Sequence, residues 1–273
     1  MSAINYPLAV GTGTTRIIEH GEGTAVLFVH GLGARADRWR TTVERIGPLG
    51  YRAIAFDLPG HGFASKEPEG PSDVPALSAY LLALMDQLGI ERAVLVGTSL
   101  GAHIAAHAAT RAPERIPALA LVGALGVTPI SQAVAETINR NVRVREHDLF
   151  IGKLNFVIHD PAMVTPQMVE EEWRMNTAPG TIEAFGRLGE YLVNGISADY
   201  VAEKLRALYP PEKLLLIWGA EDRAVPVAVG EACQAALGGA PLVLIPKANH
   251  APYWEQPEAF DAALLPFLKS TCA

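Results

Sequence analysis

The sequence predicts an α/β fold in which a mostly parallel, eight-stranded sheet is flanked by helices and carries a helical insert. Short β-branched or aliphatic runs alternate with longer helical patterns, which is typical of a parallel sheet covered by helices. Hydrophobic residues make up 49% of the 273 residues, enough for one large core. Between residues 124 and 199 the buried-strand runs give way to amphipathic helical segments. We therefore predict a core at 1–123 and 200–273 and a helical lid at 124–199.

Eight strands are predicted from apolar runs that are bounded by turn-forming residues. In chain order the strands cover residues 8–10, 15–20, 25–30, 51–56, 92–96, 116–122, 213–218 and 241–245. Core helices are predicted at 36–46, 74–88, 100–111, 227–237 and 257–268, and lid helices at 132–147, 167–175 and 181–192. Ser72 or Asp73 is expected to cap the second core helix, and Pro75 suits its first turn. Ligands of an open parallel sheet bind beyond the carboxyl ends of its strands, where the insert would cover them.

Composition and charge limit the classes of partner. The formal net charge of −7 and a pI near 5.6 argue against nucleic acid or an anionic membrane surface. The chain has no run of 18 apolar residues, and its first seven residues lack the basic start of a secretory signal. Cys233 and Cys272 have no thiol or histidine at metal-ligand spacing and are predicted to be free thiols. We expect a soluble cytoplasmic protein that binds a small molecule, without nucleic acid, membrane, metal or cofactor; a homodimer stays open.

The segment 94–103 joins a buried strand to a helix and contains Gly-x-Ser-x-Gly around Ser99. A serine on such a tight turn is held with its hydroxyl above the sheet, and Gly97 and Gly101 lack the Cβ atoms that would clash. The turn also puts Ser99 at a helix N-terminus, where the amides favour developing negative charge. This setting favours a nucleophile over an ordinary turn.

An acid and a histidine follow Ser99 in the order that such a site requires. Asp222 lies in the loop after the strand at 213–218, and His250 lies in the loop after the last strand. Both loops leave the carboxyl ends of strands, at the same edge of the sheet as Ser99. His250 is therefore predicted to take the serine proton, and Asp222 to fix the imidazole tautomer. Glu221 is the rival for the role of the acid.

Five segments together resemble the α/β-hydrolase family across nearly the full chain. They are His-Gly-Leu-Gly at 30–33, Asp-Leu-Pro-Gly-His-Gly at 57–62, Gly-Thr-Ser-Leu-Gly at 97–101, Gly-x-x-Asp at 219–222 and the stretch from His250 to Phe260. The resemblance implies an oxyanion hole formed by the amides of Leu32 and Leu100, which would stabilise a tetrahedral intermediate. It also implies that His30 and His61 belong to scaffold turns. Serine at the elbow argues against the dehalogenase and epoxide hydrolase branches, which carry aspartate there.

The lid segment at 160–173 is similar to the lids of meta-cleavage product hydrolases, which cleave C–C bonds in ring-fission products of aromatic compounds. Two positions depart from that subfamily. Thr98 stands where asparagine is usual, and Glu172 stands where an arginine would bind the substrate's acid group, which a glutamate would repel. Arg174 is the candidate substitute for that arginine. The candidate substrate-contacting residues are Trp173, Arg174, Tyr191 and Trp254.

The sequence therefore predicts a serine hydrolase that cleaves an ester, lactone or amide of a small carbonyl substrate through a Ser–His–Asp triad and an acyl-enzyme. The two departures favour this prediction over its alternative, C–C bond hydrolysis of meta-cleavage ring-fission products. An alternative from another class is a small-molecule binding protein that uses the same fold without turnover. The intact set of Ser99, Asp222 and His250 disfavours that alternative.

Overall fold

An eight-stranded sheet runs through the structure, a computed structural model that describes residues 2–271 and leaves Cys272 outside them. The strands are β1 (Ile4–Val10), β2 (Gly13–His20), β3 (Thr24–Val29), β4 (Tyr51–Phe56), β5 (Val94–Thr98), β6 (Leu119–Val122), β7 (Leu214–Gly219) and β8 (Leu242–Ile245). Their order in the sheet is β1-β2-β4-β3-β5-β6-β7-β8. β1 and β2 form a hairpin, β2 is antiparallel to β4, and the remaining neighbours are parallel. The predicted fold class is confirmed.

Eleven α-helices follow one another within the described residues. They are α1 (Arg40–Ile46), α2 (Val74–Gln87), α3 (Leu100–Arg111), α4 (Gln132–Val142), α5 (Phe150–Val157), α6 (Pro166–Asn176), α7 (Thr181–Asn194), α8 (Ala202–Leu208), α9 (Val227–Ala236), α10 (Pro252–Glu255) and α11 (Pro257–Thr271). Asp73 caps α2 by accepting the amide of Ala76 at 2.8 Å, with Pro75 in the first turn. Within residues 2–271, no helix has both the length and the apolar character needed to cross a bilayer.

Two apolar layers cover the two faces of the sheet. One layer packs α2, α3, α8 and α9 against the strands, and it contains the buried free thiol of Cys233. The other layer packs α1, α10 and α11, and in it Trp39 stacks on Tyr253 with ring centroids 3.8 Å apart. Because both faces are covered, the inner strands β3, β5, β6 and β7 are buried almost throughout. This burial explains why they appear in the sequence as continuous apolar runs.

Helices α4 to α7, which form the segment predicted to be the lid and are called the lid below, lie between β6 and β7 along the chain. α4 packs on α7, α5 packs on α6, and the lid has an apolar cluster of its own around Phe150 and Leu154. The helix predicted at 132–147 ends at Val142, and the Arg145 guanidinium donates to the carbonyls of Val142 and Val144 at 2.8 and 2.7 Å. Helix α5 was not predicted. The division at 124–199 stays a prediction.

Candidate active site

The nucleophile elbow lies between β5 and α3, with Ser99 at φ 55° and ψ −121°. The strand ends two residues later than predicted, directly before Ser99. A Cβ on Gly97 would lie 2.4 Å from the carbonyl oxygen of Gly101, and a Cβ on Gly101 would lie 2.3 Å from that of Val29. Both positions therefore require glycine. Leu100 begins α3, so its amide belongs to the helix N-terminal groups that have no acceptor within the helix.

The side chains of Asp222 and His250 contact each other where the loops after β7 and β8 lie side by side. His250 Nδ1 lies 2.8 Å from Asp222 Oδ2, while Asp222 Oδ1 accepts the amides of Ala224 and Val225 at 2.9 and 2.8 Å. These bonds fix the carboxylate from its other side. Glu221, the rival acid, accepts a backbone amide of the loop after β8 instead. The structure thus pairs the imidazole with Asp222.

The surroundings of His250 favour its protonated form. Burial lowers the pKa of the imidazole, but the charge and hydrogen bond of Asp222, together with the charge of Glu255, outweigh burial and raise the pKa above its usual value. Glu255 also accepts the amides of Asn249 and Ala251 at 2.9 and 3.2 Å, which holds the loop on both sides of the histidine. The hydrogen bond from Nδ1 to Asp222 leaves Nε2 as the nitrogen available for proton transfer.

Ser99, His250 and Leu32 line one cavity at the carboxyl edge of the sheet. A Cβ on Gly31 would lie 3.0 Å from Ser99 Cβ and 3.6 Å from its Oγ, so the loop after β3 passes directly against the nucleophile. Among residues 2–271 the Ser99 hydroxyl has no hydrogen-bond partner. The serine–histidine link of the triad and the oxyanion hole of Leu32 and Leu100 therefore stay predictions.

Glu172 lines the same cavity, but its charge is compensated. Its Oε1 accepts from Arg35 and Arg38, each at 2.7 Å, and its Oε2 accepts from Asn176 at 3.0 Å. Burial raises the pKa of this carboxyl, yet the charges of Arg38, Arg35 and Lys153 outweigh burial and lower the pKa. Glu172 is thus an ion-paired anchor between α6 and the loop after β3, rather than a free negative charge facing a substrate.

Lys153 lines the cavity and was not among the site residues predicted from the sequence. It lies on α5 and is 8% exposed, and its Nζ has no hydrogen-bond partner in the described chain. The ammonium lies 4.8 Å from the ring centroid of Phe150 and 5.9 Å from that of Phe185. Burial lowers the pKa of Lys153 to about 8. A single lysine inside an apolar run was the signal available in the sequence.

The structure separates the four predicted substrate-contacting residues. Trp254 lines the cavity, with the Arg38 guanidinium 4.3 Å above its ring centroid. Three others, Trp173, Arg174 and Tyr191, lie outside the cavity lining, and each has a partner elsewhere. Trp173 donates its indole N–H to a backbone carbonyl of the lid, Arg174 is exposed and pairs with a glutamate one turn away, and Tyr191 donates to an aspartate.

The histidines of the two family turns hold the scaffold. His30 Nε2 accepts the amide of Leu58 at 2.9 Å, and His61 Nδ1 lies 3.0 Å from the carbonyl oxygen of Pro59. Burial lowers the pKa of His30 to about 4 and that of His61 to about 3, so both are neutral near pH 7. No cluster of three His, Cys, Asp or Glu residues that could hold a metal ion occurs in residues 2–271.

Residues 24–257 match the α/β hydrolase fold family, and the chain belongs to this family, as its motifs predicted. It is 30% identical over 257 residues to the 2-hydroxy-6-oxononadienedioate/2-hydroxy-6-oxononatrienedioate hydrolase of Comamonas testosteroni, covering 91% of this chain and 88% of that protein. It is 29% identical over 249 residues to the dihydrolipoyllysine-residue acetyltransferase component of the acetoin cleaving system of Pseudomonas putida. That match covers 90% of this chain but 64% of the relative, so the chain spans less than two thirds of that protein.

The fold is also that of a solved meta-cleavage enzyme. The 2-hydroxy-6-oxo-6-phenylhexa-2,4-dienoate hydrolase from Rhodococcus sp. strain RHA1 matches with a TM-score of 0.88 at 22% identity, over 98% of this chain and 99% of that one. At this identity the likeness concerns the fold. Meta-cleavage hydrolases thus occur both among the sequence relatives and among the structural neighbours, in agreement with the resemblance of the lid segment.

Proposed function

We propose that the protein is a serine-dependent hydrolase that cleaves a C–C bond in a small dienone acid of the kind formed by aromatic ring fission. The observation that carries this proposal is the pairing of Glu172 with Arg35 and Arg38. In the sequence, Glu172 argued against an acidic substrate because a free carboxylate would repel it. Since two guanidinium groups compensate that charge, the objection no longer holds. The hydrolase relative from Comamonas testosteroni supports the same substrate class.

In the proposed reaction His250 takes the proton of the Ser99 hydroxyl while the serine oxygen attacks the substrate ketone. The amides of Leu32 and Leu100 stabilise the oxyanion, each contributing about 3 kcal/mol to transition-state stabilisation. The C–C bond then breaks, and the departing carbon takes the proton from His250, which leaves an acyl-enzyme. Water activated by His250 hydrolyses the acyl-enzyme, so one water is consumed and a carboxylic acid is released. Asp222 stabilises the imidazolium in both steps.

Hydrolysis of a small ester or lactone is the second candidate, and Thr98 favours it. Thr98 ends β5 and lines the cavity next to Ser99, at the position where C–C hydrolases usually carry asparagine. The same attack by Ser99 would serve this reaction. An alkoxide or enolate oxygen would depart in place of a carbanion.

The test compares substrates on one enzyme preparation. We expect kcat/KM for 2-hydroxy-6-oxo-6-phenylhexa-2,4-dienoate to exceed that for p-nitrophenyl acetate and for an enol-lactone, and Ser99→Ala to lower all turnover by at least about 1,000-fold. A clear preference for the ester or lactone would select the second candidate. Binding of the dienoate without turnover, unchanged in Ser99→Ala, would identify a binding protein. Equal melting temperatures of the two proteins control for folding.

A further inference from the structure

We propose that Lys153 is the acid-binding residue of the cavity and selects substrates that carry a carboxylate. This inference rests on the proposed function, because it names the group that recognises the substrate at the same site. Lys153 lines the cavity together with Ser99 and His250, but it comes from the lid helix α5 rather than from the sheet. The predicted substitute for a substrate-binding arginine, Arg174, is exposed and engaged outside the cavity.

The ammonium group of Lys153 is buried without a partner. The residue is 8% exposed, and Nζ makes no hydrogen bond to any residue in the described part of the chain. Buried charges are normally paired, since removing a charge from water without a partner is costly. A carboxylate ligand would supply the missing acceptors. An unpaired lysine that faces a cavity is therefore placed to receive an anion.

The neighbours of Lys153 do not supply that partner. Glu172 is the nearby acid, but both of its oxygens are occupied by Arg35, Arg38 and Asn176. Burial lowers the pKa of the lysine and the charges of Arg145 and Arg38 lower it further, while the charge of Glu172 raises it without forming a hydrogen bond to Nζ. The aromatic ring of Phe150 covers another side of the ammonium.

The fixed charges of the cavity wall favour a single acid group. Apart from His250, whose partner is Asp222, its lining contains two cationic side chains, Arg38 and Lys153, against the one carboxylate of Glu172. Since Glu172 is already ion-paired, the surplus positive charge belongs to Lys153. A substrate with one carboxylate would therefore neutralise the wall.

Lys153 also lies on the side of the cavity formed by the loop after β3. Its Nζ is 3.9 Å from the point where a Cβ would stand on Gly33, the residue after Leu32. Gly33 has φ +77° and no side chain, so the ammonium reaches this loop unobstructed. A substrate whose carbonyl lies at Ser99 and Leu32 would thus have Lys153 beside it, where its acid group would bind.

The test uses two p-nitrophenyl esters that differ at one end: the glutarate monoester carries a free carboxylate there, and its methyl ester is neutral and one methyl group larger. The measured quantity is the ratio of their kcat/KM values. Loss of one charge-assisted hydrogen bond in Lys153→Met is expected to lower this ratio by roughly 10- to 100-fold, mainly through KM of the acid. Lys153→Arg is expected to restore most of the ratio. Lys204 is an exposed lysine of α8, and Lys204→Met is the matched control, which should leave the ratio unchanged.

The pH profile distinguishes recognition from a structural role. Because the pKa of Lys153 lies near 8, the preference of the wild-type protein for the acid should decline as the pH rises through about 8. In Lys153→Arg the preference should persist to higher pH, since a guanidinium stays charged. A structural lysine would give no such difference between the two ester profiles.

The proposal is overturned if Lys153→Met, shown to be folded by its melting temperature, keeps the wild-type ratio. Should Lys153→Met not fold, Lys153→Gln takes its place, and a wild-type ratio in that folded variant would overturn the proposal. Should neither ester be hydrolysed, calorimetry would compare glutarate binding by the wild type and by Lys153→Met. Equal Kd values for the two proteins would overturn the proposal. Failure of the dienoate to react, together with loss of the ester ratio in Lys153→Met, would reject C–C cleavage and support Lys153 as the acid-binding residue.

Discussion

The sheet core and the lid position their functional residues by different physical means. In the core, backbone geometry holds Ser99 at φ 55°, and close backbone contacts exclude any side chain at Gly97 and Gly101. In the lid, Glu172 is held by side-chain pairs with Arg35 and Arg38, which lie 137 and 134 residues away in sequence. A backbone turn leaves a local signature in the sequence, whereas a pairing between distant side chains does not.

The largest expected effect tests the core. Asp222→Asn should lower kcat by about 1,000- to 10,000-fold, because an amide at this position favours the wrong imidazole tautomer and no longer stabilises the imidazolium. The Asp222 charge helps to raise the His250 pKa above 6.5, so kcat/KM of the wild type should fall as the pH drops through that pKa. In the variant this acid limb should move to lower pH. Steady-state kinetics from pH 5 to 9 measure both effects.

Glu221→Gln is the matched control for Asp222→Asn, since Glu221 is the adjacent acid and binds a backbone amide instead of His250. Its kcat should stay within a few-fold of the wild type. Comparable losses of kcat in the two variants would contradict the assignment of the acid to Asp222. A loss in Glu221→Gln alone would transfer the role to Glu221.

A smaller effect is expected at the contact between lid and core. Glu172→Gln should lower the free energy of unfolding by about 3 kcal/mol, because it removes the buried carboxylate that Arg38 pairs with and one of the three acids that pair with Arg35. The folded-state pKa of Glu172 is depressed, so its contribution to stability is present above the ordinary value of 4.5 and is lost as the pH falls through the folded-state pKa. Urea unfolding at pH 7 and at pH 4 measures both the loss and its pH dependence.

Glu171→Gln is the matched control, because it removes an exposed ion pair on the same helix as the buried Glu172. Glu171 also pairs with Arg35, at 3.1 Å, but its side chain is 50% exposed. Its replacement should cost at most about 1 kcal/mol, as for other exposed ion pairs. Equal losses in the two variants would show that Glu172 does not anchor the lid.

Sequence reasoning succeeded where burial and backbone geometry leave local patterns. The covered strands produce apolar runs, and the turns around Ser99, Asp222 and His250 follow those runs directly. The same reasoning treated Glu172 as a free charge, because the sequence does not show that Arg35 and Arg38 pair with it. Three of the four residues predicted to contact substrate form other bonds within the protein, which sequence spacing does not reveal.

Helix α5 was not predicted from the sequence for a separate physical reason. In a helix that packs on one side, apolar residues should recur on that side and polar residues on the other. In α5 the pattern is reversed at two positions, since Ile151 is 53% exposed whereas Lys153 is buried. Gly152 between them further weakens the helical signal. The helix and its lysine were therefore missed together.

Gly152 provides the smallest and most local test of the lid. It lies inside α5, is exposed, and a Cβ built on it meets no atom within 4 Å. Gly152→Ala should therefore raise the free energy of unfolding by about 0.5–1 kcal/mol, because alanine loses less backbone entropy in a helix. In contrast, a Cβ on Gly189 of α7 would lie 2.1 Å from Asn139 Oδ1, which accepts from Arg143 at 2.7 Å, so Gly189→Ala should destabilise the protein by displacing Asn139 from this bond. Urea unfolding measures both variants. If Gly189→Ala lowered the free energy of unfolding but Gly152→Ala did not raise it, then α5 would not share in the cooperative unfolding of the lid. Lys153 would then lie on a helix that opens independently.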